Sequence, residues 1–67
     1  MLLIRDIKDN LVATGDQKTG EVIAKHGDRE VKVPLAEDQT ITLTRKGTVT
    51  NVTWSHGSFV IDRRYAA

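Results

Sequence analysis

Cysteine is absent from this 67-residue chain, which excludes disulfides and every metal site built on thiolates. Histidine occurs only at His26 and His56, so a zinc site would have to borrow carboxylates; no metal and no cofactor are assigned. The aromatics are Trp54, Phe59 and Tyr65, one of each type, and a core has first use of them. Long apolar runs are missing too. Met1-Leu2-Leu3-Ile4 meets Arg5-Asp6 at once, too short for a signal-peptide core or a membrane span, so the chain reads as cytoplasmic with no membrane partner. Nor is one sign of charge in excess: a net charge of +1 does not by itself point to nucleic acid. Helical periodicity is lacking, since no useful window places apolar residues at i, i+3, i+4 and i+7.

Two-residue alternation is what remains, and it recurs throughout. It predicts strands over Leu2 to Ile7, Leu11 to Thr14, Glu21 to His26, Arg29 to Leu35, Thr40 to Thr44, Thr48 to Trp54 and Ser58 to Arg64. Turn residues separate them at Asp9-Asn10, Gly15 to Gly20, Gly27-Asp28, Ala36 to Gln39, Arg45-Lys46-Gly47 and His56-Gly57. A chain this short holds one core, so residues 1–67 form one β domain. Seven short strands with close turns predict an all-β fold: a small up-and-down barrel or a two-layer sandwich of successive antiparallel hairpins. Without disulfides or metal, its stability has to come from good packing or oligomerisation.

Three turns fix registers when compatible side chains are set opposite one another. A two-residue loop at His56-Gly57 puts Ser55 against Ser58, Trp54 against Phe59 and Val52 against Ile61. A two-residue loop at Gly27-Asp28 puts Lys25 against Glu30, Ala24 against Val31 and Val22 against Val33. At Arg45-Lys46-Gly47 a three-residue loop is preferred, because it pairs Thr44 with Thr48, Leu43 with Val49 and Thr42 with Thr50, whereas a two-residue loop sets Leu43 against Thr50. That choice leaves Val49 out of phase with Val52 and Trp54 and calls for a bulge near Thr50-Asn51. Pro34 marks its strand end as an edge. The expected core is Leu2, Ile4, Ile7, Val12, Val22, Val31, Val33, Ile41, Leu43, Val49, Val52, Trp54, Phe59 and Ile61.

No catalytic residue is assigned. Both histidines precede glycine at a turn, which backbone geometry explains, and Ser55, His56 and Ser58 share a solvated hairpin tip without a third orienting group. Glu37-Asp38 reads as a solvated corner rather than an acid–base pair. Gly15 to Gly20 does not meet the G-x-x-x-x-G-K-S/T spacing, because Lys18 precedes Gly20 and no helix follows. Two surface constellations remain. Thr40, Thr42, Thr44, Thr48 and Thr50 would line one face of a hairpin with stiff, weakly polar side chains that lose little entropy on contact. Arg45, Lys46, Arg63, Arg64 and Tyr65 would form a basic, aromatic face of the kind small barrels offer to nucleic acid; the bland alternative is that these charges blunt exposed strand edges.

The chain thus reads first as a non-enzymatic protein-interaction module, self-associating or an accessory component of a protein assembly, with the threonine face as its surface. The alternative is a nucleic-acid-binding β-barrel using the basic set. Third comes a small enzyme or ligand-binding protein whose site forms at a subunit interface.

Overall fold

The computed structural model describes residues 1–26 and 28–66. Seven strands run β1 (Leu2–Arg5), β2 (Leu11–Gly15), β3 (Glu21–His26), β4 (Arg29–Pro34), β5 (Thr40–Arg45), β6 (Thr48–Ser55) and β7 (Ser58–Tyr65). They form a four-stranded sheet in the order β1-β2-β3-β4 and a three-stranded sheet in the order β5-β6-β7, with every pairing antiparallel. Among the described residues there is no helix and no closed barrel, so four edges remain: β1, β4, β5 and β7.

The β6–β7 hairpin follows the expected register through Val52 with Ile61, Trp54 with Phe59 and Ser55 with Ser58. Its two-residue turn needs left-handed backbone at both positions, which His56 (φ 53°) and Gly57 (φ 76°) supply. The β3–β4 register also agrees, pairing Lys25 with Glu30, Ala24 with Val31 and Val22 with Val33, while the Gly27 part of that turn lies outside the described residues. Pro34 ends β4, an edge strand, where its missing N–H costs no ladder bond.

The β5–β6 turn corrects the sequence reading. Its loop has two residues, Lys46 (φ 41°) and Gly47 (φ 81°), so Arg45 faces Thr48, Thr44 faces Val49 and Leu43 faces Thr50. No bulge interrupts β6 near Thr50-Asn51: its eight residues pair without a break from Thr48 with Tyr65 to Ser55 with Ser58. Holding Lys46 in the left-handed region costs about 1–2 kcal/mol. In exchange Thr48, Thr50, Val52 and Trp54 share one phase, and the whole strand presents a single face to the core. The fold's bulge lies instead in the β1–β2 ladder, where Ile4 pairs with Ala13 but Arg5 with Leu11, leaving Val12 unpaired beside Ala13 and both buried.

Between the sheets, Ile4, Val12, Ala13, Val22, Leu35 and Val52 are buried, ringed by Leu2, Ala24, Val33, Ile41, Leu43, Trp54, Phe59 and Ile61. Three expected core residues fall outside this set. Ile7 is 38% exposed, because the chain leaves β1 at Asp6 and turns. Val31 is 51% exposed on edge strand β4. Val49 lies on the outer face beside Thr44 and Arg64, as the two-residue turn requires. The aromatic rings of the second sheet lie against two glycines, one ending β2 and one preceding β3: a Cβ on Gly15 would stand 2.6 Å from the Phe59 ring, and one on Gly20 2.8 Å from the Trp54 ring. Those rings contact each other, with centroids 4.8 Å apart and a tilt of 56°.

Asp6 ties the β1–β2 turn to the other sheet. Its buried Oδ1 accepts the N–H groups of Lys8 and Asn10, both at 2.9 Å, and its Oδ2 lies 3.2 Å from the Thr48 hydroxyl, which also reaches the Arg45 carbonyl at 2.7 Å. The Asn10 N–H does most to hold the Asp6 carboxyl below the usual carboxylate range; burial opposes it, and the Lys8 N–H and Thr48 hydroxyl assist.

Candidate functional site

Three of the four sheet edges carry the features that discourage pairing with another chain. Strand β4 bears Arg29, Glu30, Lys32 and Pro34; β7 bears Asp62, Arg63 and Arg64; β1 is four residues long, and its pairing is broken by the bulge of its neighbour β2 at Val12. Strand β5 differs. Thr40-Ile41-Thr42-Leu43-Thr44 has no charge, no proline and no bulge before Arg45. In an antiparallel ladder closed by a two-residue turn, alternate residues exchange hydrogen bonds, beginning with the pair that flanks the loop. Arg45, Leu43 and Ile41 therefore bond to β6, and the bond from Trp54 N–H to the Gln39 carbonyl (3.1 Å) continues the same alternation. The N–H and C=O groups of Thr40, Thr42 and Thr44 point the other way, out of the sheet.

A groove of about 460 Å³ runs along this edge, lined by Thr42, Leu43, Thr44, Arg45 and Lys46 from β5 and its turn, and by Val12, Ala24 and Lys25 from the facing sheet. Successive strand residues point to opposite faces, so four in a row can line one space only if that space lies beside the strand. Val12, Ala24 and Leu43 are its apolar floor, and Lys25, Arg45 and Lys46 are cations with no carboxylate among the lining residues.

The threonine row is split by the register. Thr40, Thr42 and Thr44 are exposed, whereas Thr48 and Thr50 are buried at 1% and 0% and cannot belong to the same surface. The outer face of β5-β6-β7 instead presents three rows: Thr40, Thr53 and Val60; Thr42, Asn51 and Asp62; Thr44, Val49 and Arg64. Hydrogen bonds between the Thr40 and Thr53 hydroxyls (2.7 Å) and from the Thr42 hydroxyl to Asn51 Oδ1 (2.8 Å) tie β5 to β6 across it, and Val60 is 58% exposed.

The basic set is divided as well. Arg64 lies on that outer face and donates to Asp62, whose carboxyl is pulled below its ordinary range first by the Arg64 hydrogen bond and then by its charge. Arg63, one residue away, turns to the inner side, where its Nε donates to the Arg5 carbonyl at 2.6 Å. Arg45 Nη1 donates to the Leu11 carbonyl at 3.2 Å, and the Lys46 carbonyl accepts from Lys8 Nζ at 3.2 Å. Tyr65, 60% exposed, pairs with Thr48, which pairs with Arg45. Arg45, Lys46, Arg63 and Tyr65 therefore meet at one end of the molecule and Arg64 leaves them. Lys8 joins that end, and Lys25 joins Arg45 and Lys46 in the groove; separation along the chain hid both.

At the opposite hairpin tip, His56 Nδ1 lies 2.9 Å from Ser55 Oγ and 3.9 Å from Glu37 Oε1. Both contacts fall on the same ring nitrogen, so serine and carboxylate do not stand on opposite sides of the imidazole as a proton relay requires. The Glu37 carboxylate also accepts the His56 N–H at 2.8 Å, and Asp38 Oδ1 accepts the Ser55 hydroxyl at 3.1 Å, which accounts for these residues as a tie between the tip and the 36–39 corner. Among the described residues no three His, Asp or Glu side chains converge as a metal-holding group, and no helix is long and apolar enough to cross a membrane. No protein-family model, curated protein or solved structure matches the chain.

Proposed function

We propose that the chain is a non-enzymatic protein-interaction module that self-associates, alone or as an accessory component of a cytoplasmic assembly, through β5 and the outer face beside it. The observation that carries this reading is the unguarded β5 edge in a fold whose other three edges are charged, interrupted or short. The outer face with its threonines and valines supports it, since β-branched side chains lose little rotamer freedom on contact. Backbone amide spectra recorded from micromolar to millimolar protein test it. Shifts that grow with concentration and cluster on Thr40 to Arg45 are the expected result; a concentration-independent spectrum with a monomeric mass overturns it.

A second reading, nucleic-acid binding, rests on the gathering of Arg45, Lys46, Arg63 and Tyr65 with Lys8 at one end. Binding to mixed oligonucleotides would then weaken steeply with salt, and Arg45→Ala with Lys46→Ala would lower the salt slope while Arg64→Ala left it unchanged. Affinity indifferent to the Arg45 and Lys46 changes removes this reading.

A further inference from the structure

We propose that two copies of the chain join β5 to β5 in antiparallel register centred on Thr42, making one continuous six-stranded sheet. The inference rests on the interaction reading above and adds its partner and its register.

Parity comes first. The outward N–H and C=O groups belong to Thr40, Thr42 and Thr44, so a second strand can exchange hydrogen bonds only where these residues face one another. A two-fold axis through Thr42 sets it against Thr42 of the second copy and sets Thr40 against Thr44 of the second copy. All outward groups of the strand are then used by both copies. Threonine opposite threonine is a favourable cross-strand pair on the solvent face.

The same axis fixes what meets on the other face. Leu43 stands beside Ile41 of the second copy, joining two half-buried aliphatic side chains on the side of the groove floor. One step further, Arg45 comes level with Gln39 of the second copy, and Lys46 with Asp38 of the second copy. Lys46 and Asp38 are both exposed, and each sits at a left-handed turn position just beyond its end of the strand (φ 41° and 63°). The acidic corner Glu37-Asp38 thus arrives where the groove offers Lys25, Arg45 and Lys46 with no carboxylate of its own. Since the axis repeats every contact, each copy supplies the acid for the other's cations, which is the self-complementarity an isologous interface requires.

The lack of cysteine makes the register directly readable. Facing residues of a hydrogen-bonded antiparallel pair have Cα atoms about 5.5 Å apart, within the roughly 4.4–6.8 Å a disulfide spans. Under a mild glutathione buffer Thr42→Cys is expected to form covalent dimer about tenfold faster than Val60→Cys, an exposed position on β7 away from the axis. Thr40→Cys and Thr44→Cys should each stay largely monomeric alone and cross-link when mixed. A charge exchange reads the corner contacts: Lys46→Asp and Asp38→Lys should each abolish self-association, and their mixture should restore it as a heterodimer, with Trp54 fluorescence confirming that both variants fold. Self-association accompanied by equal cross-linking at Thr42→Cys and Val60→Cys overturns this register and leaves the interaction reading intact. A spectrum that does not change with concentration together with a mass that stays monomeric overturns both.

Discussion

Gly20→Ala tests the packing of the Trp54 ring of β6 on the residue that precedes β3. Gly20 carries two burdens: a left-handed backbone (φ 79°) and a position where a Cβ would stand 2.8 Å from Trp54 Cε2. An L-residue pays about 1–2 kcal/mol for the left-handed conformation. Pushing a side chain into a packed ring costs about 1–3 kcal/mol more. The expected loss is therefore roughly 2–5 kcal/mol, against a total stability of about 3–10 kcal/mol for a chain of this length at ~0.05–0.15 kcal/mol per residue. Two other glycines separate the burdens. Gly57 has nearly the same backbone (φ 76°) with nothing within 4 Å of its Cβ, so Gly57→Ala should cost only the backbone share. Gly15, whose backbone is not left-handed, faces Phe59 at 2.6 Å, so Gly15→Ala should cost only the ring share. Urea unfolding followed by fluorescence of Trp54, the sole tryptophan, reads all three. With m near the low end of ~1–3 kcal/mol per molar urea, a loss of ~2 kcal/mol moves the midpoint by about 2 M. If Gly20→Ala proves no more harmful than Gly57→Ala, the Trp54 ring is not packed on Gly20 and the description of how the sheets meet is wrong.

Two further perturbations probe the polar interior. The Thr50 hydroxyl is buried and has no hydrogen-bond partner among the described residues, so Thr50→Val, which keeps the branched shape, should raise stability by about 1–3 kcal/mol in the same urea assay; a loss would show that the hydroxyl is bonded. The Asp6 carboxyl titrates lower in the folded chain than its unfolded value near 3.9, so its contribution is complete above about pH 4 and is lost as pH falls through the folded pKa. Thermal midpoints between pH 7 and pH 2 should fall along that acid limb, and Asp6→Asn should flatten it, with Asp62, lowered in the same direction, contributing to the slope that remains. An unchanged limb in Asp6→Asn refutes the assignment.

The seven strands were legible because alternation and turn residues agree along most of the chain. Trp54 opposite Phe59 was legible because only one register brings the two largest apolar side chains together. Two of the misreadings, at Asp6 and Thr48, share a physical cause: a polar side chain is buried because hydrogen-bond partners that alternation does not reveal surround it. Asp6 looks like the polar member of an alternating strand. It is buried because the N–H groups of Lys8 and Asn10 and the distant Thr48 hydroxyl surround it, and that turn carries Ile7 out of the core. Thr48 reads as a solvent-facing residue until the Arg45 carbonyl and Asp6 are placed beside its hydroxyl. Threonine is nearly as stiff and as well shaped for a core strand as valine, so once its hydroxyl is bonded nothing in composition tells the two faces apart. The split of Arg63 from Arg64 follows from alternation alone, whereas the approach of Lys8 and Lys25 to Arg45 and Lys46 needed the packing of the two sheets.

The turn at Lys46-Gly47 decides more than the position of two threonines. With a three-residue loop, Thr44 would face Thr48 as the hydrogen-bonded pair and the outward groups of β5 would belong to Ile41 and Leu43. Thr48 and Thr50 would then share the outer face with Thr40, Thr42 and Thr44, and a second strand added at Thr42 would meet groups already bonded to β6. With the two-residue loop, the lysine accepts a left-handed backbone, two threonines go inside, and the edge offers Thr40, Thr42 and Thr44 together. Stability and the proposed association are thereby bound to one register. A stabilised Thr50→Val and a rapidly cross-linked Thr42→Cys are the joint signature of the two-residue turn, because the three-residue turn would put Thr50 in water and the amide of residue 42 inside the sheet. A result that splits them, with Thr50→Val neutral and Thr42→Cys still cross-linking, is compatible with neither register.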